Sequence, residues 1–104
     1  MRIVTRGRVT HDYLKGLISA PEDREPAVRN VIEKAGGKVL NFYFTTGESD
    51  FLLISEAQEP EAIIAALMAA SASGAVSHVT NVRAWTGAEC SESFQGSERV
   101  QTSG

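Results

Sequence analysis

"NFYFTTGESDFLLI", residues 41–54, decides the fold. An aromatic run through Phe42, Tyr43 and Phe44 enters a polar knot, Thr45 to Asp50, and the chain leaves it as Phe51, Leu52, Leu53 and Ile54. Aromatic and β-branched residues favour a pleated, half-buried surface. Two such runs joined by a short Gly-containing stretch read as an antiparallel hairpin. "KVLNFYFTT" and "DFLLISEA" are then its strands, with Gly47-Glu48-Ser49 between them. Tyr43 alternates with Phe42 and Phe44 and so faces the opposite side of the sheet. Leu52, Leu53 and Ile54 do not alternate, which is the pattern of a strand buried on both faces. Helices cover one face of such a sheet; the other needs a different cover.

Upstream, "RIVTRGRV", residues 2–9, alternates with a period of two. Ile3, Thr5, Gly7 and Val9 share one face; Arg2, Val4, Arg6 and Arg8 share the other. "THDYLKGLI" follows, with Thr10 as a cap and Leu14, Leu17 and Ile18 at i, i+3 and i+4, which predicts a short helix with one buried stripe. In "APEDREPAVRNVIEKAGG", Val28, Val31, Ile32 and Ala35 fall on one helical face. Glu22, Asp23 and Glu25 crowd its positive end and Lys34 stands near its negative end. Pro26 belongs in the first turn, because it donates no hydrogen bond. Gly36 and Gly37 end the helix, one of them at positive φ.

Downstream, "EPEAIIAALMAASASG" predicts a helix with Ile63, Ile64, Leu67 and Met68 as its stripe, opened by Pro60 and closed by Gly74. "AVSHVTNVRAW" is the last strand. Its alternation sets Val76, His78, Thr80, Val82 and Ala84 against Ser77, Val79, Asn81, Arg83 and Trp85. Thr86 and Glu89 match a capping box. The last residues are rich in Ser, Gly and Glu with few apolar anchors, so a domain over residues 1–90 and a flexible tail over 91–104 are expected.

The order βαββαβ is the ferredoxin-like plan, an α+β architecture in which one antiparallel sheet carries helices on one face. The first and third strands are central, and the second and fourth are edges. The bare face, with the doubly apolar third strand in it, points to a second copy as cover, hence a homodimer or a higher self-assembly.

Composition narrows the function classes. The chain has 104 residues, 42% hydrophobic and 22% charged, which suits one globular domain with its own core. A net charge of −3 gives no general pull toward phosphate backbones, so nucleic acid is not expected as a partner. No polybasic segment addresses a membrane surface. The longest wholly apolar run, residues 62–70, is far shorter than the ~20 residues that span a bilayer. The opening Ile-Val-Thr-Arg-Gly-Arg lacks the apolar stretch of a secretory signal. Cys90 is the only cysteine, so no internal disulfide forms and a reducing cytoplasm is expected. No metal-ligand spacing, Gly-rich phosphate loop or Gly-x-Ser-x-Gly elbow occurs. Neither a metal nor a cofactor is therefore expected.

The stretches "VTHDYLKGLISAPEDREPAVRNVIEKAGGKVLNFYFTTGESDFLLISEA" and "AASASGAV" resemble the GYD-domain proteins of the dimeric α/β-barrel group, over roughly residues 3–89. The family's Gly-Tyr-Asp signature, usually Gly-Glu-Tyr-Asp at the second hairpin, stands here as Gly47-Glu48-Ser49-Asp50, with Ser49 in place of the tyrosine. The resemblance implies a ferredoxin-like dimer. Its fold relatives include small-ligand binders, cofactor-free monooxygenases and isomerases, and fold alone does not choose among them.

Several residues carry two readings. The knot is either a turn, with Gly47 at positive φ and Ser49 or Asp50 holding backbone N–H groups, or a site with Glu48 or Asp50 as acid/base groups. Arg6 and Arg8 either pair with carboxylates and reach solvent or form an anion-binding wall. His11 and Tyr13 follow the first strand, at the end where pockets form in this architecture. Tyr43 is either packing or a phenol with a partner to find. The candidates for acid/base work are His11, Tyr43 and Glu48. Those for ligand binding are Arg8, His11, Tyr43, Glu48 and Asp50. The leading functional reading is small-molecule binding; the second is a cofactor-independent monooxygenase or isomerase.

Overall fold

The hairpin forms where its side chains call for it. The computed structural model describes residues 1–94. In it β2 (Lys38–Phe44) and β3 (Phe51–Glu56) run antiparallel, with Phe42 opposite Leu53 and Phe44 opposite Phe51. β1 (Arg2–Val9) pairs antiparallel with β3 on one side and β4 (Val76–Ala84) on the other. The strand order is β2-β3-β1-β4, so β1 and β3 are central and β2 and β4 are edges. The chain is an α+β domain.

Three helices interrupt this order: α1 (His11–Ser19) and α2 (Glu25–Lys34) between β1 and β2, and α3 (Pro60–Ala72) between β3 and β4. Local chemistry sets their ends. The Thr10 hydroxyl accepts the Tyr13 N–H at 3.3 Å and caps α1. Pro26 and Pro60 sit in the first turns of α2 and α3, where no N–H is needed. Gly36 and Gly74, at φ 86 and φ 85, stop the same two helices. A fourth helix, α4, covers residues 87–94. It opens on the expected capping box: the Thr86 N–H donates to Glu89 Oε1 at 2.8 Å and the Glu89 N–H to Thr86 Oγ1 at 3.1 Å. The expected start of the tail at residue 91 thus lies inside a helix, and residues 95–104 lie outside the described residues.

The core lies between the sheet and α2 and α3. Ile3 and Leu53 come from the central strands, Val39 from β2, Ile32 from α2, and Ile63 and Leu67 from α3. Thr5 and Ser55 are buried with them. The Thr5 hydroxyl donates to Asn81 Oδ1 at 2.7 Å, whereas Ser55 Oγ has no partner among the described residues.

Tertiary structure overrides four expectations. The α1 stripe is not buried: Leu14 is exposed and Ile18 is 72% exposed, because no described element lies close enough to bury any residue of α1. On α3, Ile63 and Leu67 are buried but Ile64 and Met68 are exposed, so the contact stripe is half as wide as its pattern. On β3, Leu52 and Ile54 are only half-buried, on the face without helices. On β4 the alternation breaks. Arg8 pairs with Ser77 but Arg6 pairs with Thr80, and His78 in between takes φ 52. This bulge returns Ser77 to the face of Thr80 and Val82, and moves Val76 to the helix face opposite Val9.

Candidate functional site

A cavity opens at the end of the sheet where β1 stops, between the sheet and the helices. Its floor depends on Gly7. Any Cβ at that position would stand 2.8 Å from the Phe51 ring, so glycine lets the ring lie across β1. Phe42 packs edge-on to Phe44 at 5.2 Å and tilted to Phe51 at 6.5 Å, extending the aromatic floor across β2. Val28, Val31 and Ile32 of α2 form one wall, and Leu67 and Ala70 of α3 face them. The volume is about 170 Å³, half open to solvent, and its lining is almost wholly apolar.

Two polar side chains reach this space, Tyr13 and Arg24. Tyr13 arrives on the first turn of α1, fixed by the Thr10 cap. Thr10 itself is tied to the start of β4, since its N–H donates to Ala75 O at 3.1 Å and its hydroxyl to Gly74 O at 2.7 Å. Arg24 is the residue before α2. Its Nε donates to Tyr13 Oη at 2.6 Å, its guanidinium lies 5.4 Å from the Tyr13 ring centre, and its Nη1 donates to Glu22. The Glu22 carboxylate first, and the Tyr13 oxygen after it, push the guanidinium pKa above its ordinary value. The end of the cavity therefore holds a charged guanidinium whose outer partner is the Glu22 carboxylate.

The five candidates from the sequence lie elsewhere, and none of them lines the cavity. Arg8, Glu48 and Asp50 are brought together at the hairpin. Arg8 Nε donates to the Glu48 carbonyl at 3.1 Å, Asp50 Oδ2 accepts the Val9 N–H at 3.1 Å, and the Asp50 N–H donates to Gly7 O at 2.8 Å. Thr45 closes the loop with its N–H on Asp50 O and its hydroxyl on Ser49 O, both at 2.7 Å. Gly47 has the positive φ the turn reading requires, at 99°. The Glu48 carboxylate enters no hydrogen bond among the described residues, and its side chain is exposed. Tyr43 lies on the helix-free face, 51% exposed, with its Oη accepting from Asn41 Nδ2 at 3.1 Å. His11 is exposed at the first turn of α1. Among the described residues no three of His, Cys, Asp and Glu gather as a metal would need.

Arg24 escaped the sequence reading. In "PEDREP" it stands among acids and before a proline, and there a basic residue reads as a surface ion-pair partner. The available signal was its spacing from Tyr13, which only the turn between α1 and α2 converts into contact.

A sequence model of the GYD domain matches residues 4–93. No curated protein and no solved structure matches the chain.

Proposed function

The chain belongs to the GYD domain family, and from that premise we propose that it is a small-molecule-binding protein whose ligand occupies the cavity between sheet and helices. The cavity carries this reading: about 170 Å³ of apolar space with polar groups at one end only. Ligand sites have this composition, apolar walls with a few placed polar groups that fix orientation. The same lining favours binding over acid–base turnover, because no His, Cys, Asp or Glu side chain is part of it. Two copies are proposed to associate through their helix-free sheet faces. A reducing cytoplasm suits the single cysteine. Among the described residues no helix is long and apolar enough to cross a membrane.

Toluene tests the binding reading as an apolar probe. A ligand that binds only the folded state raises its stability by about 2.7 kcal/mol at a hundred times its Kd. Toluene is expected to raise the melting temperature of the full chain, and Ala70→Leu, which extends a side chain into the cavity, is expected to remove the effect. A melting temperature indifferent to toluene would sink the reading.

A further inference from the structure

If the cavity binds small molecules, the groups at its polar end set the ligand's class. Resting on that reading, we infer that the ligand is a small monocarboxylate whose compact apolar body fills the cavity and whose carboxylate meets Arg24 and Tyr13.

The donor inventory supplies the argument. Tyr13 Oη already accepts from Arg24 Nε, so its own hydrogen is free to point at a ligand. Of the remaining guanidinium groups, Nη1 is held by Glu22, and Nη2 enters no hydrogen bond among the described residues. The Glu22 side chain is 59% exposed and does not line the cavity. The cavity end thus presents one O–H and a guanidinium edge, in which donors outnumber acceptors. A carboxylate, which accepts and does not donate, is the matching head group, and the planar guanidinium fork suits its two oxygens. An amide N–H entering there finds only the remaining lone pair of Tyr13 Oη, and an ammonium meets the like charge of the guanidinium.

Size sets the body. An apolar cavity of roughly 150 Å³ takes a benzene-sized guest, and the space here is about 170 Å³. A single ring, or a branched chain of ~six to eight carbons, fits that volume. The rings of Phe42, Phe44 and Phe51 in the floor offer edge and face contacts to an aromatic body. Phenylacetate has both parts at the right scale, and phenylacetamide and phenethylamine keep its ring while changing only the head.

The experiment is isothermal titration of the full chain at neutral pH with toluene, phenylacetate, phenylacetamide and phenethylamine. Phenylacetate is expected to bind about tenfold tighter than the amide, and the amine weakest. Arg24→Gln is expected to bring the acid-to-amide ratio close to one while toluene still binds. Tyr13→Phe, which keeps the ring in the wall, is expected to lower the ratio in the same direction. It stands as the test if Arg24→Gln does not fold. If toluene binds but the acid has no advantage over the amide, the carboxylate assignment is overturned and the binding reading stands. If the advantage survives both substitutions, the assignment to Arg24 and Tyr13 is overturned. If none of the four binds, the binding reading falls and takes this inference with it.

Discussion

Two glycines fix the geometry at this end of the sheet for different reasons, and their variants should fail differently. Gly47 has φ 99 and open space where a Cβ would be, so only the backbone torsion opposes a side chain. Gly47→Val is expected to cost ~1–3 kcal/mol in urea unfolding, by torsional strain alone. Gly7 has ordinary torsions, but a Cβ there meets the Phe51 ring at 2.8 Å and Ser77 O at 3.2 Å. Gly7→Ala is expected to cost ~1–3 kcal/mol by overpacking, and it also displaces the cavity floor, so toluene binding should weaken with it. Glu48→Gln changes an exposed side chain without a described partner and should stay within ~0.5 kcal/mol. A clear stabilisation by Glu48→Gln would return the hairpin carboxylate to consideration as a working group. At this scale the turn was legible in the sequence, because Gly47 and Asp50 act within a few residues of themselves. Arg24 was not, because its role depends on Tyr13 meeting it across a turn between two helices.

Helices α1 and α4 each carry a test. Arg2 Nη1 on β1 donates to Glu89 Oε1 at 2.8 Å, pinning the first turn of α4 to the sheet. That hydrogen bond first, and the Thr86 backbone N–H after it, lower the Glu89 pKa from 4.5 to about 2. A carboxylate whose folded pKa is depressed contributes stability above its unfolded pKa and loses it as pH falls through the folded one. The melting-temperature advantage of the natural chain over Glu89→Gln should therefore be full above pH 4.5 and fade toward pH 2. It should also shrink with added salt, because the pair is exposed. A constant difference across that window would show that α4 is held by something other than this charge. In α1, Ile18 is 72% exposed, so Ile18→Ser should leave protomer stability within ~0.5 kcal/mol. A larger loss in chemical denaturation would mean that a second chain covers the stripe. The elements themselves were legible from periodicity, prolines, glycines and the capping box, all of them local signals. Which helical stripe finds a partner, and where β4 bulges at His78, were not legible, because both are settled by what packs alongside.

The whole molecule turns on its helix-free sheet face, whose side chains form rows across the four strands. One row runs Asn41, Ile54, Val4, Val82, the next Tyr43, Leu52, Arg6, Thr80, and an outer row Lys38, Glu56, Arg2, Ala84. The outer row sets Glu56 between two cations. The first is apolar over three strands, and its Val82 is 56% exposed. Solvated sheet faces ordinarily carry polar residues at such central positions, so the exposed row motivates the proposed association of two sheets. A stable pairing needs on the order of 1,600 Å² buried in total. Arg6, next to the apolar row and unpaired among the described residues, then has to reach the rim or meet a carboxylate of the other copy, since a lone buried charge opposes association strongly. The expected result is a dimer at micromolar concentration by analytical ultracentrifugation. Val82→Asp should convert it to a monomer with an unchanged far-UV spectrum, because the side chain it replaces is already exposed in the protomer. A natural chain that sediments as a monomer would overturn the association. A Val82→Asp chain that remains dimeric would move the interface off this face, toward the uncovered stripe of α1.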